Sequence, residues 1–170
     1  MAKSLRQQLW EAVRDRLRSI RRAAGYETEM GARFFAWRDL ANSPLDEIKP
    51  SANPEQNGCF SMKDADCETE QKVSNRMDHI LTIEVQGAVW GTPPDDIARQ
   101  CLADIEKCIG VDRQWTIPNI DTGLDVKLAL DTRLVSDKIN AVHAAERYCV
   151  ITKTIQVIFR TASFNPYAQT

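Results

Sequence analysis

The chain lacks the features that would indicate a disulfide framework, a zinc site or a membrane span. Its five cysteines are an odd number, and no two of them have the Cys-x-x-Cys spacing of a zinc knuckle. No hydrophobic run approaches the ~20 residues that a membrane-spanning helix needs, and the arginine-rich N-terminal segment lacks the apolar core of a secretory signal. We therefore expect a reduced, cytosolic protein with no membrane partner.

Catalytic motifs are also missing from the sequence. It contains no G-x-S-x-G, Walker, G-x-G-x-x-G or H-E-x-x-H motif. Of its two histidines, His79 lies on the mainly apolar face of a predicted strand, where a hydrogen-bonded structural histidine is more typical than a base, and the other is His143. Nothing in the sequence places an activating group beside Cys59, Cys67 or Cys149. We expect no enzyme activity and no catalytic residue.

An acidic run is the best candidate for a metal site, but its pattern fails. Carboxylates alternate over residues 64–70, as they do at the start of an EF-hand calcium loop. If Asp64 were the first ligand, Thr69 would occupy the position that requires glycine, and Asn75 the position of the bidentate glutamate. We therefore predict a solvated connection, with no bound metal or cofactor.

Charge is nearly balanced over the whole chain but unevenly distributed. The net charge of −2 gives no general argument for binding nucleic acid or an anionic membrane. Residues 1–22, however, contain seven basic and two acidic side chains, a net charge of +5 that leaves −7 for the remainder. A subunit polarised in this way can pair basic and acidic surfaces between copies of itself, so self-assembly is one interpretation.

The strongest secondary-structure signal is the two-residue period of 76–90. Its apolar face contains five large side chains, Met77, Leu81, Ile83, Val85 and Val89. The opposite face is mainly polar, so the pattern predicts a long, half-buried antiparallel strand.

Two helices are predicted from four-residue spacing and capping signals. The N-terminal segment 1–24 forms an amphipathic helix from Ser4 to Ala24, because Leu5, Leu9, Val13 and Leu17 recur every four residues, and Gly25 stops it. A second helix starts at Pro93 after the N-cap Thr92 and ends where Gly110 adopts a left-handed conformation. Its apolar stripe consists of Ile97, Cys101, Leu102, Ile105, Cys108 and Ile109.

The remaining segments complete a single α+β domain over residues 1–170. We predict further strands at 32–38, 59–63, 124–134 and 148–161, a long loop at 39–58, a loop or short helical turn at 136–145, and a C-terminal tail at 162–170 that is mobile unless a neighbour holds it. The expected fold is an antiparallel or mixed sheet of about four to five strands, with both helices packed on one face.

Three local patterns, spread over nearly the whole chain, carry a family resemblance. They are the N-terminal helix leading into 25–31 and a strand ending in Trp37-Arg38; the segment 79–87 with a helix bearing 103–107 and closing at 110–115; and 157–161 followed by Asn165-Pro166-Tyr167. In this order they resemble the tail-terminator, or tail-completion, proteins of bacteriophages with long non-contractile tails. The chain departs from that family in its longer, proline-rich 39–58 segment and in 136–145.

The resemblance implies a structural virion protein with a tail-terminator-like fold. Such a subunit closes into a homo-hexameric ring at the head-proximal end of the tail, caps the tail tube, stops tube polymerisation and joins the tail to the neck or head connector. Its partners are then copies of itself, the tail tube protein and the connector, and genomic DNA passes through the ring without sequence-specific binding. We hypothesise that Arg6, Arg14, Arg18, Arg21 and Tyr167 contact other virion subunits.

Two alternatives stay open at the level of the sequence. A neck or head-completion protein would also form a ring but would bind the portal side. A small nucleic-acid-binding module would instead place its basic N-terminal helix on phosphate, with steeply salt-dependent affinity.

Overall fold

The computed structural model describes residues 3–48, 58–73, 75–118, 123–143, 147–163 and 165–167. The fold is α+β, as predicted, with two main helices, a five-stranded mixed sheet and a separate two-stranded sheet. In chain order the elements are α1 Leu5–Leu17, β1 Phe34–Ala36, α2 Leu45–Ile48, β2 Gly58–Val73, β3 Arg76–Trp90, α3 Pro94–Gly110, β4 Thr116–Pro118, β5 Asp125–Lys127, β6 Asp131–His143 and β7 Tyr148–Ala162.

The large sheet has the strand order β1-β2-β3-β7-β6. Strand β1 runs parallel to β2, and every other neighbouring pair is antiparallel. Strand β3 has the predicted bounds of Arg76–Trp90, because it is paired along its length with β2 on one side and β7 on the other. The small sheet pairs β4 with β5.

The main core lies between one face of the large sheet and the two long helices. Apolar side chains of α1, α3, β2, β3 and β7 form one continuous buried cluster, which confirms that both helices pack on the same face. The predicted α1 stripe of Leu5, Leu9, Val13 and Leu17 is buried. Among the helices in the described part of the chain, none combines the length and apolar character needed to cross a membrane.

Helix α1 ends at Leu17, seven residues before the predicted end at Ala24. Gly31 packs against the end of the helix and leaves no room for it to continue. A β-carbon added to Gly31 would lie 2.5 Å from the Leu17 carbonyl oxygen. The Gly31 N–H donates to the Ile20 carbonyl oxygen. A short 3-10 helix, Arg22–Ala24, follows and ends at Gly25, whose φ of 83° is left-handed.

Both predicted caps of the second helix are wrong. The N-cap of α3 is Pro93 and not Thr92, with no side-chain capping hydrogen bond. Gly110 is the last helical residue and is followed by Val111 at φ −60°, so it does not adopt the predicted left-handed conformation. The turn is held instead by Asp112, whose carboxylate accepts hydrogen bonds from the N–H groups of Gln114 and Thr116.

A second, smaller core covers part of the opposite face of the sheet. It is formed by Leu40, Ile48, Cys59, Ala88, Trp90, Tyr148 and Val150. The predicted loop 39–58 therefore contains a short helix, α2, whose Ile48 packs on the sheet, while residues 49–57 lie outside the described part. The buried Gln86 side chain accepts the Leu40 N–H at 2.8 Å and so anchors this segment.

Strand β2 is much longer than the predicted 59–63. It spans Gly58–Val73, and the acidic run expected to be a connection is its second half. Pairing with β3 imposes the extended conformation, and the alternating charges suit an exposed strand. Strand β1 is shorter than predicted, and the residue after it, Trp37, has a left-handed φ of 59°.

The predicted strand 124–134 is divided between two sheets. Its first part is β5, and β6 begins only at Asp131. Leu128 and Ala129, which connect these two strands, are buried. Strand β6 then continues through most of 136–145, where we predicted a loop or helical turn; residues 144–146 lie outside the described part. Two register shifts interrupt its pairing with β7, which obscures the two-residue period.

Strand β7 confirms the predicted final strand and its pairing with the strand before it. Lys153, which interrupts its apolar face, is buried and lies 2.5 Å from a Glu106 carboxylate oxygen and 3.3 Å from one of Asp137. This lysine thereby ties β6 to α3.

Within its described residues, the C-terminal tail is held by the molecule itself. Ala162 belongs to β7 and forms an isolated bridge with Asn165. The Leu5 N–H donates to the Pro166 carbonyl oxygen at 3.0 Å, so the tail caps the start of α1. The expected mobility therefore does not apply to 165–167, and 168–170 lie outside the described part.

Candidate assembly surface

Both edges of the large sheet expose large apolar side chains. One edge is β6, where Leu134 is 43% exposed, Val135 52% and Ile139 39%, with Leu130 exposed just before the strand. A long sheet edge with exposed aliphatic side chains can pair with a strand of another molecule. We call this surface the β6 edge.

The opposite edge is formed by β1, by Trp10 and Trp37, and by 64–73 of β2. Trp37 is 62% exposed. With Trp10, Arg6 and Asp64 it lines a surface cavity of about 330 Å³. Beyond Met62, β2 has no second strand beside it in the described part of the chain. We call this surface the Trp37 edge.

Three of the four predicted interface arginines border the Trp37 edge. Arg6 donates from two nitrogens to one Asp64 oxygen, at 2.7 and 3.0 Å. The guanidinium of Arg14 lies 5.7 Å from the Trp10 ring centre, and that of Arg18 lies 5.5 Å from the Phe34 ring centre. Arginine and aromatic side chains contribute much of the binding energy in many protein interfaces, and a guanidinium group is attracted to the face of an aromatic ring.

The other two predicted interface residues lie away from this cluster. Arg21 follows the C-terminal end of α1 and lies 3.7 Å from Glu29. Tyr167 is exposed in the tail beside the start of α1, with its N–H donating to the Asn165 side chain. The structure thus groups Arg6, Arg14 and Arg18, but not Arg21.

Acidic side chains from elsewhere in the chain neutralise much of the basic N-terminal segment. Arg6 pairs with Asp64, Arg16 with Asp112 and Arg21 with Glu29. These pairs are partly open to water and so contribute about 1 kcal/mol or less each, and their main effect is on surface charge. The sequence's charge split therefore overstates the free positive charge of α1.

In the described part of the chain, Cys67 and His79 both line a cavity of about 300 Å³, where a thiol and an imidazole could form a catalytic pair. The two imidazole nitrogens lie 3.0 Å from the Thr69 hydroxyl and 2.8 Å from the Thr161 hydroxyl, and the ring stacks on Phe159. Burial lowers the pKa of His79 and raises that of Cys67, which favours neutral groups over a thiolate–imidazolium pair. The two hydrogen bonds and the stacking contact hold the His79 ring in one orientation, and the hydrogen bonds are those predicted for a histidine in this strand.

Burial has the same effect on the other cysteines. It raises the pKa of Cys59 to about 12 and that of Cys149 to about 11, and it raises those of Cys101 and Cys108. These thiols stay protonated at neutral pH and pack as apolar side chains. Among the described residues, no group of three or more histidine, cysteine or acidic side chains has the geometry to hold a metal ion. The side chain of His143 lies outside those residues.

We expect His79 to make the protein less stable in mild acid. Its folded-state pKa lies below the ordinary value of 6.5, so the unfolded chain binds the proton first as the pH falls. The free energy of unfolding therefore falls as the pH drops through that value and levels off below the folded-state pKa. Urea unfolding at about pH 7.5 and about pH 5.5 measures this change.

The variant His79→Gln isolates the contribution of this side chain. An amide can bond both threonine hydroxyls but does not titrate, so the variant should lose less stability than the wild type over the same pH interval. Equal losses in the two proteins would show that His79 does not couple folding to protonation.

The exposed edge residues were not identified from the sequence. The sequence predicts Trp37 near the end of a strand and 136–145 as a loop or short helical turn, and neither prediction marks a surface. The only available signal was that Leu134, Val135 and Ile139 place three large apolar residues close together between charged ones. Their exposure depends on the sheet order, which the sequence pattern does not give.

A scan against protein-family models found no match to this chain, and a search of curated proteins found no matching sequence either.

Proposed function

We propose that the protein is a tail terminator of a phage with a long non-contractile tail. In this function it closes into a hexameric ring on the head-proximal end of the tail tube, stops tube polymerisation and provides the surface to which the neck or head connector binds. It acts by shape, through contacts with copies of itself and with other virion proteins, and makes or breaks no covalent bond.

The observation that carries this proposal is that both edges of one sheet expose apolar side chains, Leu134, Val135 and Ile139 on one edge and Trp37 on the other. Two different surfaces on one subunit make a head-to-tail contact, and such contacts close into a ring when the rotation between neighbours allows it. Sheet edges also suit this purpose because main-chain hydrogen bonds extend the sheet across the boundary. We infer that this ring is a tail terminator from the resemblance of the sequence to that family.

The structure offers less support for the nucleic-acid alternative. A basic helix that binds phosphate needs available cations, whereas Arg6, Arg16 and Arg21 already contact carboxylates of the same subunit. We expect no mobility shift of duplex DNA by this protein at low salt. A shift that weakens steeply with added salt would instead favour the nucleic-acid module.

Tails assembled without heads provide the direct test of the proposed function. We expect the protein at one end of such tails in electron micrographs, and tubes of uneven, excessive length when it is left out. Finding it only on DNA-filled heads would favour the neck or head-completion alternative. Tubes whose length and ends do not depend on the protein would contradict the terminator function.

A further inference from the structure

We infer that the ring forms by docking the β6 edge of one copy against the Trp37 edge of the next, with the two sheets continuing in register. Leu134 enters the cavity between Trp10 and Trp37, and Ile139 packs on Phe34. This inference rests on the proposed function, because it specifies the contact between copies that the ring requires.

Strand direction is the first requirement, and the two edges meet it. Strand β1 is parallel to β2, and each later step across the sheet, to β3, β7 and β6, reverses the direction. The two edges of the sheet therefore run in opposite directions. A rotation about an axis along the strands leaves each strand's direction unchanged, so β6 meets its neighbour's edge as an antiparallel strand, the commoner and slightly more stable pairing.

The apolar groups of the two edges also lie at the same height and on the same face. We call residues paired side by side across the sheet a row. One row links the two edges through Phe34, Phe60, Gly87, Ile151 and Ile139. A second row runs through Asp64, Ile83, Ile155 and Leu134.

These two rows place Leu134 and Ile139 on the helix-covered face, where the cavity and Phe34 of the neighbouring copy also lie. Asp64 lines the cavity, and its row ends at Leu134. Phe34 packs against Trp10 on that same face, with ring centres 5.8 Å apart. A neighbour docked without a vertical shift therefore brings an exposed leucine to a cavity and an exposed isoleucine to an aromatic ring.

Charge supports the same register on the opposite face of the sheet. A third row runs through Asp66, Thr82, Gln156 and Arg133. Arg133 is exposed and lies 3.9 Å from Asp131, its nearest carboxylate among the ion pairs of the described residues. In the docked register it meets the exposed Asp66 of the next copy. A slip of one residue would move all of these side chains to the wrong face, so the three matches specify one register.

The mass of the purified full-length protein and its variants tests this docking. We expect a ring for the wild type by native mass spectrometry and light scattering. Leu134→Glu should leave only monomer at concentrations where the wild type is fully assembled, because its carboxylate would lose water against the Trp10 and Trp37 rings and would lie in the same cavity as the Asp64 carboxylate. Leu124→Glu is the matched control: Leu124 is exposed but lies on neither edge, so the ring should persist.

A charge exchange tests the register itself. Arg133→Glu places two carboxylates together and should weaken assembly at least tenfold, as should Asp66→Arg. The double variant restores opposite charges and should recover most of the wild-type assembly. Circular dichroism and the unfolding midpoint of each variant separate loss of assembly from loss of folding.

Each alternative result has a distinct meaning. Folded Leu134→Glu protein that still forms the wild-type ring would overturn this docking but leave the terminator function standing. Failure of the double variant to assemble better than either single variant would overturn the register. A two-fold dimer joined through β6 would also exclude the head-to-tail contact. A wild-type protein that stays monomeric even on tail tubes would refute both the ring and the proposed function.

Discussion

Replacing Trp115 with alanine is expected to lower the free energy of unfolding by about 4 kcal/mol. Trp115 is fully buried, in the turn between α3 and β4. Its indole Nε1–H donates to the Thr132 hydroxyl at 2.7 Å, and the Arg16 guanidinium lies 4.0 Å from the centre of its ring. One side chain therefore connects α1, the end of α3 and the start of β6, and its truncation leaves a cavity where the indole ring was.

Urea unfolding followed by circular dichroism measures this loss. Trp115→Phe should give a smaller decrease, because phenylalanine retains most of the buried ring but removes the hydrogen bond to Thr132. Val111→Ala is a control in the same turn: its side chain is 74% exposed, so its effect should stay within about 0.5 kcal/mol. A loss of less than about 2 kcal/mol in Trp115→Ala would show that this turn repacks readily.

The elements predicted from sequence with the right bounds are those buried on one face and paired on both sides. Strand β3 lies between β2 and β7, so its apolar period reports directly on the core. Strand β7 has neighbours on both sides in the same way. In such central strands, the side-chain pattern and the backbone pairing both select the same structure.

The edge and hairpin strands were predicted poorly for the opposite reason. In the second half of β2 and most of β6, both faces meet water, so no apolar period marks them as strands. Backbone pairing with β3 and β7 fixes their conformation, and register shifts further disturb their alternation. A tertiary partner therefore supplied what local sequence did not specify.

The candidate surface was predicted in part. Arg6, Arg14 and Arg18 follow from the helical period of α1, and they do lie together beside the Trp37 edge. Their carboxylate partners were not foreseen, since Asp64 is far away in sequence. The exposure of Trp37 depends on its own left-handed φ, directly after the three-residue strand β1. A tryptophan in the sequence does not indicate that conformation.

Replacing Asp104 with alanine is expected to lower the free energy of unfolding by about 3 kcal/mol. This α3 side chain is 3% exposed. Its carboxylate accepts hydrogen bonds from the Glu27 N–H at 3.1 Å and from the N–H and hydroxyl of Thr28, both at 2.8 Å. Hydrogen bonds to an ionised acceptor are stronger than neutral ones, and removing the acceptor leaves the buried Thr28 donors without it.

Asp104→Asn tests whether charge or shape matters here. The amide keeps one acceptor oxygen but turns an NH₂ group toward the donors of Glu27 and Thr28, so it should lose at least half as much stability as Asp104→Ala. Asp96→Ala is the matched control on the same helix: its side chain is exposed, so the loss should stay below about 1 kcal/mol.

Amide hydrogen exchange locates the effect. The Thr28 N–H should exchange faster in Asp104→Ala. The exchange rates of amides at the centre of β3 should change only as much as the global free energy of unfolding requires. Unchanged protection at Thr28, or a stability loss below about 1 kcal/mol, would mean that α3 does not hold the 26–28 turn. Because that turn leads through Met30 and Gly31 into β1, the same carboxylate also positions the Trp37 edge. Asp104→Ala should therefore weaken ring assembly under conditions where the monomer is still folded.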